Sequence, residues 1–275
     1  MKTSSNLLTC AGVFGLAAAF APDAMAIIGD LTTQGTVVVP TSYGNAIFSR
    51  DFTQPAGTGV FDPFLTIQAN GVEQGYNTSA KKGVFDTKRE PQWNHEFQVK
   101  DLRVQTIGGV QYFAFVIDIN EPNGGAKSEI SLDSIKIFTT RQIGQNTTDV
   151  ESLGVKRFDL ENNWIKYDDQ NHGSGQADIS FFVPIREFFD GPNPVKMDDY
   201  VYMYQRFGDH ISADFDGTTQ GGFEETAMGG GVAPVPEMAT ILPLAGVLGL
   251  GMFVQAYRRR SRKVDVGSLE TPESL

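Results

Sequence analysis

Through the middle of the chain, apolar residues recur at every second position. That is the spacing of a half-buried β-strand and not of a helix. In RVQTIGGVQYFAFVIDIN two such runs flank Gly108-Gly109, a pair suited to the two-residue turn of a hairpin. The second run places Phe113, Phe115, Ile117 and Ile119 on one face, predicted to meet the core. Tyr112, Ala114, Val116, Asp118 and Asn120 fall on the other. ISLDSIKIF changes phase: Ile130 and Leu132 share one face, Asp133, Ile135 and Ile137 the other. A bulge near Asp133–Ser134 reconciles the two halves. Further strands are predicted in GTVVVP, FLTIQ, EFQVKDL, KRFDL, ADISFFVPI and DYVYMYQRF, and a single helical turn in IREFFDG. Parallel strands would need crossover helices, and no helical period of useful length is present. The expectation is an all-β, antiparallel two-sheet sandwich, jelly-roll-like, over residues 27–216. Residues 217–235, GTTQGGFEETAMGGGVAPV, are glycine-rich and read as a flexible tether.

The two ends carry a different pattern. Lys2, the apolar run LLTCAGVFGLAAAFA and Ala24-Met25-Ala26 make residues 1–26 a secretory signal peptide. Met238 to Tyr257 is a run of twenty uncharged residues, enough to cross a bilayer core as a helix. Arg258, Arg259, Arg260, Arg262 and Lys263 follow and hold that end in the cytoplasm, with residues 264–275 as a cytoplasmic tail.

Directly before the span stands Val235-Pro236-Glu237. A Pro-Glu motif, one span and an arginine cluster together resemble the PEP-CTERM sorting signal of exported Gram-negative bacterial proteins. The resemblance covers residues 234–263, with the signal proper at 236–263. It implies recognition at Val235, Pro236 and Glu237 by an exosortase, a membrane-embedded enzyme that cuts near the motif and releases or re-anchors its substrate. Met238 stands where the family commonly has a second proline, and twelve residues follow Lys263. The body also resembles sandwich ectodomains found among such proteins, a likeness that carries no activity with it.

Charge and composition narrow the partners. The net charge of −11 repels nucleic acid and anionic lipid, and suits either cation binding or plain solubility. The only cysteine, Cys10, lies in the leader, so a mature chain forms no disulfide and offers no thiolate. Zinc-protease spacing fails, because Val99 stands four residues after His95. No nucleophile elbow, phosphate loop or dinucleotide fingerprint occurs, and His95, His172 and His210 lie far apart.

Two constellations are candidates. Asp118, Asn120, Glu121 and Asp133 supply oxygen ligands of the kind calcium takes, as do Asp209, Asp214 and Asp216. Carboxylates that merely cap turns give the same pattern. Tyr200, Tyr202 and Tyr204 share one strand face with Arg206 following, a stripe on which sugar rings could stack. Tyrosine is equally a favoured strand residue in its own right. Trp93 and Trp164 are secondary stacking candidates. The expectation is an exported, membrane-anchored and then released cell-surface or extracellular-matrix protein, non-enzymatic, adhesive or associated with exopolysaccharide. The alternatives are a carbohydrate-active enzyme with distant carboxylates, or a carbohydrate-binding module that stays anchored.

Overall fold

The computed structural model describes residues 26–33, 35–51, 61–122, 127–169, 175–190 and 192–230. Apart from Ala26, the expected leader, span, Val235-Pro236-Glu237 motif, basic cluster and tail lie outside the described residues. Among the described residues no helix is long and apolar enough to cross a membrane.

Alternation dictates two sheets. The first runs in spatial order β1 (Ile28–Leu31), β12 (Trp164–Asp168), β10 (Glu129–Thr140), β14 (Tyr200–Phe207) and β6 (Glu73–Tyr76). In it β11 (Val155–Asp159) pairs with β10, and β7 (Phe97–Gln98) with β14. The second runs β2 (Thr36–Thr41), β3 (Gly44–Ser49), β13 (Ile179–Pro184), β9 (Val110–Asp118), β18 (Glu224–Met228) and β4 (Pro63–Ile67), with β8 (Val104–Ile107) on β9. Two short pairs flank them: β5 (Asn70–Gly71) with β17 (Thr219–Gln220), and β15 (Ile211–Ser212) with β16 (Phe215–Asp216). Strand pairing is antiparallel except between β1 and β12, so the sandwich is not purely antiparallel. IREFFDG makes the expected single turn, α1 (Arg186–Phe189).

The β8–β9 hairpin forms on Gly108 and Gly109, whose φ values of 59° and 83° are those a two-residue turn demands. Phe113, Phe115, Ile117 and Ile119 enter one apolar cluster with Ile130, Leu132, Ile135 and Ile137, joining the two sheets across a shared interior. The phase change in β10 is resolved by a bulge: against β14 the register steps from Leu132 to Ser134 and leaves Asp133 as the extra residue. With no disulfide available to the body, this cluster holds the fold. Each fully buried large apolar side chain contributes about 1.5–3 kcal/mol.

The opposite face of β9 is buried as well: Tyr112 and Ala114 pack with Ile47 and Phe182 in a second cluster. Two expectations change. EFQVKDL pairs only at Phe97–Gln98, then turns into a short 3-10 helix at Val99–Asp101. The second concerns the glycine-rich stretch 217–235. It is not a tether as far as Met228, since β17 lies in it and β18 lies between β9 and β4. The pattern hid β18 because its inward positions are polar: Thr226 is buried and donates to Gln205 Oε1 across the sandwich (2.7 Å).

Candidate functional site

The second sheet ends in an open pocket of about 290 Å3, near the lower bound for small-ligand sites. Thr66 of β4 and Glu225 of β18 are register partners and form one wall. The loop after Phe85 forms the rest with Lys88, Glu90 and Trp93, and Phe223 enters just before β18. That loop is laced to the sheet edge by its backbone: Lys88 N–H donates to Thr66 O and His95 N–H to Phe64 O, both at 3.0 Å. A turn closes it, with Trp93 N–H donating to Glu90 O at 2.9 Å. Asn120 Nδ2 holds the Phe223 carbonyl at 3.0 Å. Lys88 Nζ lies 5.9 Å from the Phe223 ring centre and donates to Gln68 Oε1. Trp93 keeps 39% of its surface exposed, and Glu225 is buried in the wall. Two aromatic side chains, a cation and two carboxylates thus line one hollow.

Behind that pocket lies a set of buried acids. Glu224 points inward where Glu225 points outward, and meets Glu73 and Glu121. Glu73 Oε2 accepts from Ala69 N–H at 2.7 Å, and Glu121 Oε2 from Gln220 N–H at 2.8 Å. Glu73 Oε1, Glu121 Oε1 and both Glu224 oxygens find no donor among the described residues. Burial, then repulsion from Glu73, drives the Glu224 carboxyl well above its ordinary range. Burial also pushes Glu121 up to about 7, against the hydrogen bond from Gln220. Asp118 rises to about 7 through burial, opposed by the Gly175 and Gln176 amides and reinforced by Glu225.

The calcium constellation is divided. Asp118, Asn120 and Glu121 stay at the end of β9, Asp118 accepting from the backbone of Gly175 and Gln176. Asp133 belongs to the other sheet, where His210 Nδ1 lies 2.6 Å from its Oδ1 and Asp209 N–H donates to its Oδ2. Asp133 therefore does not join them. Asp209 pairs with Arg206 (3.1 Å), Asp214 accepts from Ser212 and Asp216 from Thr218, so each of those carboxylates has its own local donor. Among the described residues no three Asp, Glu, His or Cys side chains are grouped to enclose a metal ion.

The tyrosine stripe is not an open platform. Tyr202 is 0% and Tyr204 7% exposed, packed with Tyr76, Val84, Phe138 and Leu153 under surrounding loops. The ring of Tyr76 meets Tyr202 edge-on at 5.9 Å. Tyr202 donates to Glu96 (2.8 Å) and Tyr204 to Gln74 (2.6 Å), which satisfies both hydroxyls. Tyr200 is half-buried against the same cluster, and Arg206 is held by Asp209. Trp164 is also covered, stacked on His210 at 4.1 Å. Of the aromatic candidates read from the sequence, Trp93 alone lines the pocket. Phe223 and Glu225 escaped notice because they sit in the stretch read as a tether.

Comparison with protein-family models, curated proteins and solved structures finds no match to this chain.

Proposed function

We propose that the chain is an exported, non-enzymatic cell-surface or extracellular-matrix protein whose sandwich binds polysaccharide at the Trp93–Phe223 pocket. The observation that carries this reading is the company these two rings keep. Sugar rings offer apolar C–H faces to aromatic side chains, while their hydroxyls seek carboxylates and cations such as Glu90, Glu225 and Lys88. Export is supported by the apolar leader with its small-residue cleavage site. Sorting is supported by the PEP-CTERM-like arrangement of Val235-Pro236-Glu237, the uncharged run and Arg258 to Lys263, with an exosortase as partner. A second reading, a carbohydrate-active enzyme, draws on the presence of Glu90 and Glu225 in one pocket.

Retention on immobilised polysaccharides from the host's own matrix tests the proposal. The wild-type chain is retained and Trp93→Ala loses roughly tenfold in affinity, in line with one aromatic contact of about 1.4 kcal/mol. Equal retention of both proteins contradicts the assignment of the pocket. Shortening of the polysaccharide by wild type but not by Glu225→Gln selects the enzyme instead. The same column run with EDTA tests the calcium expectation at Asp118, Asn120 and Glu121.

A further inference from the structure

A second pocket, of about 430 Å3, opens beside β10 and β11 and has the opposite charge character. It falls within the volume range of small-ligand sites. Arg141, Arg157 and Lys196 line it against a single carboxylate, Asp199, in a chain whose net charge is −11. That carboxylate is already occupied: Asp199 Oδ1 meets Arg141 Nε at 3.3 Å, and Asp199 Oδ2 accepts from Lys196 N–H at 2.8 Å. Arg141 also reaches Asp198 at 3.5 Å. Neither Arg157 nor the Lys196 ammonium forms an ion pair among the described residues.

Arg157 is the unusual member. Only 5% of its surface is exposed, and a guanidinium so buried normally faces a carboxylate. Its Nε–H donates to Thr139 Oγ1 at 2.7 Å and Nη1 reaches the Glu187 carbonyl at 3.4 Å, both neutral acceptors. Burial lowers its pKa, and Asp199 and Glu187 offset this only in part. The backbone is shaped to put it there. Against β10, the register of β11 steps from Phe158 to Lys156, so Arg157 is the extra residue of a bulge, a device that re-aims one side chain. Gly154 lets β11 start tight against β10, since a Cβ there would stand 2.5 Å from Thr139 O. Thr140 and Asn193 add neutral polar groups around the mouth.

We propose that this pocket binds an oxyanion, the carboxylate or sulfate of an acidic saccharide, with Arg157 at its floor and Lys196 at its rim. A guanidinium fork matches the paired oxygens of either group, and the flexible ammonium closes from outside. The saccharide part of the assignment rests on the polysaccharide-binding reading; the oxyanion part does not. The two pockets would then hold one acidic polymer at two places, the rings at Trp93 and the charges at Arg157.

Calorimetric titration of the full chain in non-ionic detergent, with sodium sulfate, glucuronate and glucose, tests this. Sulfate and glucuronate bind and compete for one site, and glucose displaces neither. Arg157→Gln weakens both anions roughly tenfold or more, a charged hydrogen bond's worth. Lys196→Gln, at an exposed site that leaves the fold intact, weakens them severalfold. Trp93→Ala leaves sulfate binding, which involves no sugar ring, unchanged, so loss of the aromatic site and loss of this one are told apart. No anion binding to wild type, or binding undiminished in both variants, overturns the proposal. Sulfate binding without glucuronate overturns its saccharide part.

Discussion

At the residue scale, the sharpest feature is a set of acids buried without cations. Glu224 is 1% exposed, and its two neighbours Glu73 and Glu121 also carry negative charge when ionised. Unfolded, Asp118 and Glu121 release their protons near the ordinary values of 3.8 and 4.5; folded, they hold them to about 7. The folded chain thus binds more protons than the unfolded chain across that window, and stability falls as pH rises through it. Melting temperature is expected to drop between pH 5 and pH 8. Glu224→Gln places an amide donor beside Glu73 and Glu121 and cannot ionise. It should flatten that slope and raise the pH 8 melting temperature by roughly 2–8 °C, for about 1–2 kcal/mol. A variant that melts at or below wild type at pH 8 would show that Glu224 is not the strained group. Arg157 makes the complementary point. Its residue type was visible within KRFDL, but the bulge that aims it depends on register with β10, which no local pattern encodes.

At the element scale, β18 decides where the folded body ends. It lies between β9 and β4, pairing Thr226 with Ile117 on one side and with Leu65 on the other. A chain stopped after Asp216, the boundary the composition suggests, loses this inner strand together with Phe223 and Glu225. It should fail to give a cooperative thermal transition, whereas a chain stopped after Gly230 should melt cooperatively. Comparable melting of the two would contradict the pairing of β18. Much of the sheet was legible in advance. Phe113 to Ile119 and the two-phase run Ile130 to Ile137 announced themselves because their inward residues are apolar and the period is two. The elements that stayed hidden have other reasons. In β18 Glu224 and Thr226 face inward and Glu225 faces the pocket, so polar residues fall on both faces and no alternation shows. β6, with Glu73 buried, and the loop carrying Lys88 and Trp93 owe their places to partners distant in sequence. The tyrosines were read correctly as strand residues. Their burial follows from the loops that fold over them, and Leu153 and Val84 on those loops carry no periodic signal.

At the scale of the whole molecule, the proposed extracellular polymer-binding role draws on the body and on both ends of the chain. With Cys10 the single cysteine of the sequence, no disulfide forms within the chain, and the body owes its fold to strand pairing and apolar packing. The net charge of −11 has one local exception among the pockets described, the hollow lined by Arg141, Arg157 and Lys196 against Asp199. The proposed partner, a matrix polysaccharide, would be met only after export, which makes the ends of the chain as much a part of the proposal as its pockets. The most direct test is recovery of the protein from the extracellular polysaccharide of its own host, followed by intact-mass measurement. The account predicts a chain that starts at Ile27, has lost the uncharged run from Met238 to Tyr257, and co-purifies with the polymer. A protein of full 275-residue mass recovered from inside the cell, and absent from the polymer, would contradict it.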